Sequence, residues 1–245
     1  MRFFLLKVSI CRTLRLLMCL PMLLLSTYWS AVLTAEPLAN ESITTKKAED
    51  TTDTGQSVFQ QQCQSCHGQS AEGNQALKAP RLAGQSAWYI NNQLKAFQQS
   101  YRGASKVKPN EGSAMLAIAK DLSEQQISAV SDYLEAVQLN NSIAATLQPS
   151  FKADGVKGKQ YYQSLCGSCH GPGGKGNKLL NAPKLAGLND WYIVQQIQAY
   201  KTGQRGYHPK DRLGKQMKLM SRVLPNEQAL KDVAHFLSQQ KTTTH

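Results

Sequence analysis

Two nearly identical six-residue strings occur in this chain, CQSCHG from Cys63 and CGSCHG from Cys166, 103 residues apart. A pattern that returns at a fixed distance points to a duplicated unit, and the match runs well past the cysteines. APRLAGQSAWYINNQLKAF from Ala79 pairs with APKLAGLNDWYIVQQIQAY from Ala182. Gly55 and Phe59 pair with Gly158 and Tyr162, Arg102-Gly103 with Arg205-Gly206, and SDYL from Ser131 with AHFL from Ala234, all at the same offset. Only the stretch ahead of each last helix slips by one residue and then recovers. Each unit holds about 85–90 residues, small for a hydrophobic core without help.

Apolar spacing in both units is helical. Phe59 and Cys63 stand four apart at the entry to the first motif. Ile90, Leu94, Phe97 and Tyr101 form a stripe after Ser86, a candidate N-cap, in a helix expected to end near Ser100; Ile193, Ile197 and Tyr200 repeat it after Asn189. SEQQ at Ser123 reads as a capping box. It opens a last helix that should bury Ile127, Val130, Leu134 and Val137, with Leu230, Val233 and Leu237 as counterparts. The stretches between, rich in Gly, Pro and Lys, read as loops. No strand-like alternation occurs, so the expected class is all-α.

Cys-x-x-Cys-His is the attachment pattern for c-type haem. Two thiols three residues apart on a turn can form thioethers to the two vinyl groups of one porphyrin, and the next residue then lies beneath the iron. Cys63 and Cys66 would tether one haem with His67 as its ligand; Cys166, Cys169 and His170 would serve a second. A thioredoxin-like dithiol needs neither the histidine nor a second copy, and expects a βαβ context. A zinc site needs four ligands, and no further Cys/His pair stands nearby at the usual spacing. Of the chain's six cysteines, Cys11 and Cys19 fall in the N-terminal leader and the other four in the two motifs. Four free thiols would not suit an exported chain.

Both CxxCH motifs, both AP(R/K)LAG segments, both WYI helices and the tandem length together make the chain resemble the dihaem cytochromes c of the cytochrome c4 type, from about residue 54 to 240. The resemblance implies two tandem class I cytochrome c domains, each around one covalently bound haem c. The organisation is then 54-140 for domain 1, 141-153 for an interdomain linker, 154-240 for domain 2 and 241-245 for a tail.

The resemblance also implies a methionine as the second axial ligand, which raises the reduction potential. Met115 and Met217, in the matching phrases GSAM and GKQM, are assigned to that place. Met220, which aligns with Ile118 at an expected core position, is the alternative in domain 2, and His208 a remoter one. His235 is expected at the surface. Pro80 and Pro183 match the proline whose carbonyl accepts a hydrogen bond from the proximal histidine. Gly55, Phe59 and Tyr133, with Gly158, Tyr162 and Phe236, match the close crossing of first and last helices. Trp88, Tyr89, Trp191 and Tyr192 belong either near the haem edges or in the core.

Residues 1-35 read as a signal peptide: Arg2, Lys7, Arg12 and Arg15, then an apolar run, then small residues up to Ala35. The apolar run is long enough for a retained membrane anchor to stand as the alternative. The 36-53 stretch is polar and linker-like. Charge is uneven. Residues 36–149 carry 9 Lys/Arg and 11 Asp/Glu, whereas residues 150–245 carry 15 and 5. Such a dipolar chain is oriented as it approaches a partner. The partner is not nucleic acid, since no such motif is present. The expected function is a periplasmic electron carrier, not an enzyme, and the resemblance implies a place between a quinol-oxidising complex and a terminal oxidase. Its redox partners would include one with an acidic surface facing Lys210, Arg212, Lys215, Lys218 and Arg222 around Met217. A cytochrome subunit of a periplasmic dehydrogenase, or a dihaem enzyme with one open iron site, are the alternatives.

Overall fold

The computed structural model describes residues 54–104, 112–140 and 149–241, all within one compact unit that spans Glu41–His245. The expected signal peptide, the 36-53 linker, most of the interdomain linker and most of the C-terminal tail lie outside the described residues.

Domain 1 opens with α1, helical over 54–58 and running into a π-helical turn at Phe59–Cys63. Then follow α2 (Gln64–His67), α3 (Ala87–Gln98), α4 (Ser113–Lys120) and α5 (Glu124–Ala136). Domain 2 repeats the order with α6 (Gly155–Leu165), α7 (Gly167–His170), α8 (Asp190–Lys201), α9 (Arg212–Met220) and α10 (Glu227–Ser238). Among the described residues the extended pairing is limited to two isolated bridges, Asn74 with Ala79 and Asn177 with Ala182.

First and last helices cross at a glycine. A Cβ on Gly55 would overlap the carbonyl oxygen of Ala129, and one on Gly158 that of Asp232. One turn further on, aromatic pairs close the crossing: Phe59 with Tyr133 at 5.7 Å between centroids and Tyr162 with Phe236 at 5.6 Å. The expected stripes face inward, with Ile90, Leu94, Phe97, Ile127, Val130 and Leu134 buried in domain 1. Ile193, Leu230, Val233 and Leu237 are buried in domain 2.

Some local expectations change. The capping box is present: Ser123 Oγ accepts from Gln126 N at 3.1 Å, and Gln126 Oε1 accepts from Ser123 N at 2.9 Å. Ser86, by contrast, caps α3 without a side-chain bond, and the helix ends at Gln98, two residues earlier than expected. Tyr101 therefore leaves the stripe and stacks on His208. Val137 lies in extended backbone just beyond α5 and is half-buried. The segments read as methionine-bearing loops are helices, α4 and α9. Each spans barely two turns, too short for periodicity to declare itself. In α9 the start is fixed by Asp211, whose Oδ1 accepts from Gly214 N at 2.8 Å.

The two domains meet in a reciprocal arrangement. Arg81 Nη1 donates to the Gly187 carbonyl at 3.0 Å, and its repeat partner Lys184 donates from Nζ to the Gly84 carbonyl at 2.8 Å. Arg102 Nη2 donates to Tyr192 Oη at 3.0 Å and Gln196 Oε1 at 2.9 Å. Arg205 Nη2 donates to Tyr89 Oη at 3.1 Å and Gln93 Oε1 at 2.6 Å. These are the same contacts with the domains exchanged, the internal equivalent of a two-fold interface.

Candidate cofactor sites

Each site begins where a helix ends. The π-turn of α1 and the short α2 carry Cys63, Cys66 and His67 into the domain; α6 and α7 carry Cys166, Cys169 and His170. His67 is 4% exposed and His170 5%. The Nδ1 of His67 lies 2.7 Å from the carbonyl oxygen of Pro80, and that of His170 lies 2.8 Å from that of Pro183. A carbonyl only accepts, so Nδ1 carries the proton in both rings. Nε2 is left with a free lone pair, the state a metal ligand requires. Burial lowers both histidine pKa values, with the proline carbonyl pulling the other way, so the rings stay neutral.

The Cys63 and Cys166 thiols are not poised as nucleophiles. Burial, followed by the neighbouring cysteine, pushes Cys63 and Cys166 up to about 11. A reactive dithiol needs the opposite shift. Among the described residues no group of three or more His, Cys, Asp or Glu side chains converges as a metal cluster would need.

In domain 1, Cys63, Cys66, His67 and Met115 line one cavity of about 210 Å³. Ile90, Leu94, Phe97 and Leu134 form apolar walls. Two thiols, a neutral imidazole, a thioether from α4 and apolar walls in one cavity fit a covalently tethered porphyrin. In domain 2, Met217 is half-buried on α9. Met220 is 41% exposed, so it does not occupy the core place that its alignment with Ile118 suggested. Ile118 lines the domain 1 cavity, whereas Met220, the last residue of α9, faces outward. His208 stacks on Tyr101 with centroids 4.2 Å apart, which commits its ring to the domain boundary. His235, expected at the surface, is half-buried, with Nδ1 enclosed and lacking a partner among the described residues.

Trp88 and Trp191 pack against their neighbouring tyrosines, at 5.8 Å and 5.9 Å between centroids. Tyr89 and Tyr192 line the cavity. The cations at the domain boundary carry no motif that sequence reasoning recognises as a site. Their one sequence signal is the return of Tyr89, Gln93 and Arg102 as Tyr192, Gln196 and Arg205, at the common offset of 103.

The profile of the family described as Cytochrome c matches the chain twice, over residues 52–138 and 155–241. A thiosulfate dehydrogenase electron acceptor of Stutzerimonas stutzeri is 32% identical over 166 residues, 65% of this chain and 72% of that protein. The cytochrome c4 structure from Acidithiobacillus ferrooxidans superposes with a TM-score of 0.56 at 28% identity, over 72% of this chain and 97% of that one. The thiosulfate dehydrogenase TsdBA from Marichromatium purpuratum gives a TM-score of 0.61 at 24% identity. That match covers 78% of this chain but 40% of the other, so the present chain spans two fifths of that molecule.

Proposed function

Because the chain belongs to the cytochrome c family, as a tandem dihaem protein of the cytochrome c4 type with two covalently bound haem c groups, we propose that it carries electrons in a periplasmic respiratory chain, between a quinol-oxidising complex and a terminal oxidase. Cys63 and Cys66 would hold one haem, with His67 and Met115 available to its iron, and Cys166 and Cys169 would hold the other, with His170 and Met217. The haem supplies a reversible one-electron change. With a histidine and a methionine both committed to each iron, a substrate would have no access to the metal, the condition for a carrier and not an enzyme. One observation carries the reading: His67, with its Nδ1 proton held by Pro80, and Met115 line the same cavity.

Domain 2 supports the docking role. Lys210, Arg212, Lys215 and Arg222 are exposed and Lys218 half-exposed. Among them lie Leu213, Leu219 and Val223, exposed at 44%, 67% and 42%. Domain 1 is an internal control. Allowing for the one-residue slip, it holds Ser113 for Lys215, Leu116 for Lys218, Ala117 for Leu219 and Asp121 for Val223. Lys215, Lys218, Leu219 and Val223 are thus particular to domain 2, whereas Arg222 has a basic counterpart in Lys120, and that difference supports a docking site for an acidic redox partner. A second reading, electron acceptor of a periplasmic dehydrogenase, is supported by the similarity to the thiosulfate dehydrogenase electron acceptor. No helix among the described residues is long and apolar enough to cross a membrane. Membrane association belongs to the alternative reading, in which the N-terminal apolar run is retained as an anchor and not cleaved.

Visible spectra with and without carbon monoxide test the carrier reading. Two six-coordinate haems that show the methionine–iron band and ignore carbon monoxide are expected. Stoichiometric carbon monoxide binding by the native protein would replace the carrier with an enzyme.

A further inference from the structure

The charged side chains that line the domain 1 cavity are all basic. Lys78, Arg81, Arg102, Lys184 and Arg205 all line it, and no Asp or Glu does. Two of these, Lys184 and Arg205, belong to domain 2. Arg205 is 7% exposed. Its guanidinium donates to Gln93 Oε1 at 2.6 Å, Gln196 Oε1 at 2.8 Å and Tyr89 Oη at 3.1 Å, and lies 4.7 Å from the Tyr200 ring centroid. All of these partners are neutral, and the carboxylate ion pairs among the described residues involve other cations. A buried guanidinium keeps its charge, and neutral acceptors do not compensate it.

A porphyrin tethered at Cys63 and Cys66 brings two propionate carboxylates into this cavity. The walls at Ile90, Leu94, Phe97, Val130 and Leu134 are apolar and cannot solvate an anion. Resting on the carrier reading above, we propose that Arg205, a residue of domain 2, completes the haem site of domain 1 by holding the haem's propionates. Arg205 is then a positioning residue for a group covalently bound to the other domain. Haem 1 is complete only when the domains are docked. A positive charge held beside it favours the reduced state of that haem over the oxidised one.

The test is a redox titration of the full-length R205Q protein followed by NMR. Methyl signals of each haem are assigned through contacts to Ile90 or Ile193. The expected result is about a tenfold shift of the haem 1 equilibrium toward the oxidised form, about 59 mV for one electron. Haem 2 should move less, R205K should recover most of the change, and K159Q, at an exposed site on α6, should leave haem 1 in place. An unmoved haem 1, or an equal shift of both haems, overturns the proposal. If R205Q fails to accumulate, K184Q removes the other domain 2 cation lining the cavity and is read the same way. A pyridine haemochrome assay without covalent haem would instead sink the carrier reading. Two attached haems with an unmoved haem 1 potential sink only this inference.

Discussion

Arg205 of domain 2 donates to the Tyr89 hydroxyl of domain 1 at 3.1 Å, and Arg102 of domain 1 returns the bond to Tyr192 of domain 2 at 3.0 Å. Each phenol relieves a cation that its own domain leaves short of acceptors. Tyr89→Phe and Tyr192→Phe should each cost about 1 kcal/mol of stability, the net worth of such a bond. Because Gln93 and Gln196 join both halves of the network, the double variant should depart from additivity. Thermal unfolding of the haem-loaded singles and double measures this. Additive losses would mean two independent contacts, not one network.

Met115 lies on α4 and lines the cavity with His67. Met115→Ala should leave haem attachment intact, lower one of the two potentials and let one equivalent of carbon monoxide bind. Met220→Ala should do none of these, since its side chain is 41% exposed. Carbon monoxide binding in Met220→Ala but not in Met217→Ala would reverse the ligand assignment in domain 2.

Gly158 and Gly155 lie three residues apart on α6, in different surroundings. A Cβ at Gly158 collides with backbone, whereas one at Gly155 meets His235 Cδ2 at 3.4 Å, an ordinary contact. Gly158→Ala should destabilise domain 2 by about 1–3 kcal/mol, a fall of about 4–8 °C in Tm per kcal/mol for a domain this size. Gly155→Ala should be neutral or mildly stabilising, as alanine favours a helix. Differential scanning calorimetry separates the two; equal effects would show that the crossing is not fixed at Gly158.

Lys215→Glu with Lys218→Glu should slow electron transfer with an acidic partner at low salt. The difference should fade as ionic strength passes about 0.15 M, where screening shortens to about 8 Å. Lys120→Glu, at the position equivalent to Arg222 in domain 1, should change the rate little. Stopped-flow kinetics across a salt series gives the answer, and equal slowing by both changes would place the partner elsewhere.

The cysteine and histidine positions were legible before any fold was known, because covalent attachment and a one-residue-distant ligand leave little freedom in spacing. The capping box at Ser123 was legible as a local rule with one geometric solution; the glycine crossings and the proline carbonyls were expected from the family resemblance. The helical state of the methionine segments was not, since two turns around Met115 or Met217 show no full hydrophobic period. Nor was the outward turn of Met220, because its alignment with Ile118 carries no record of burial.

The sequence by itself determined that there are two copies of one unit, that both are helical, and that each carries a CxxCH haem motif. Those facts are written in periodicity and in fixed short spacings. Only the tertiary structure decided that the copies face each other, so that Arg205 and Lys184 line the cavity of the other domain. That arrangement depends on contacts between residues 90 to 116 positions apart. Burial and charge compensation at such distances are properties of the packed molecule, and no local pattern records them.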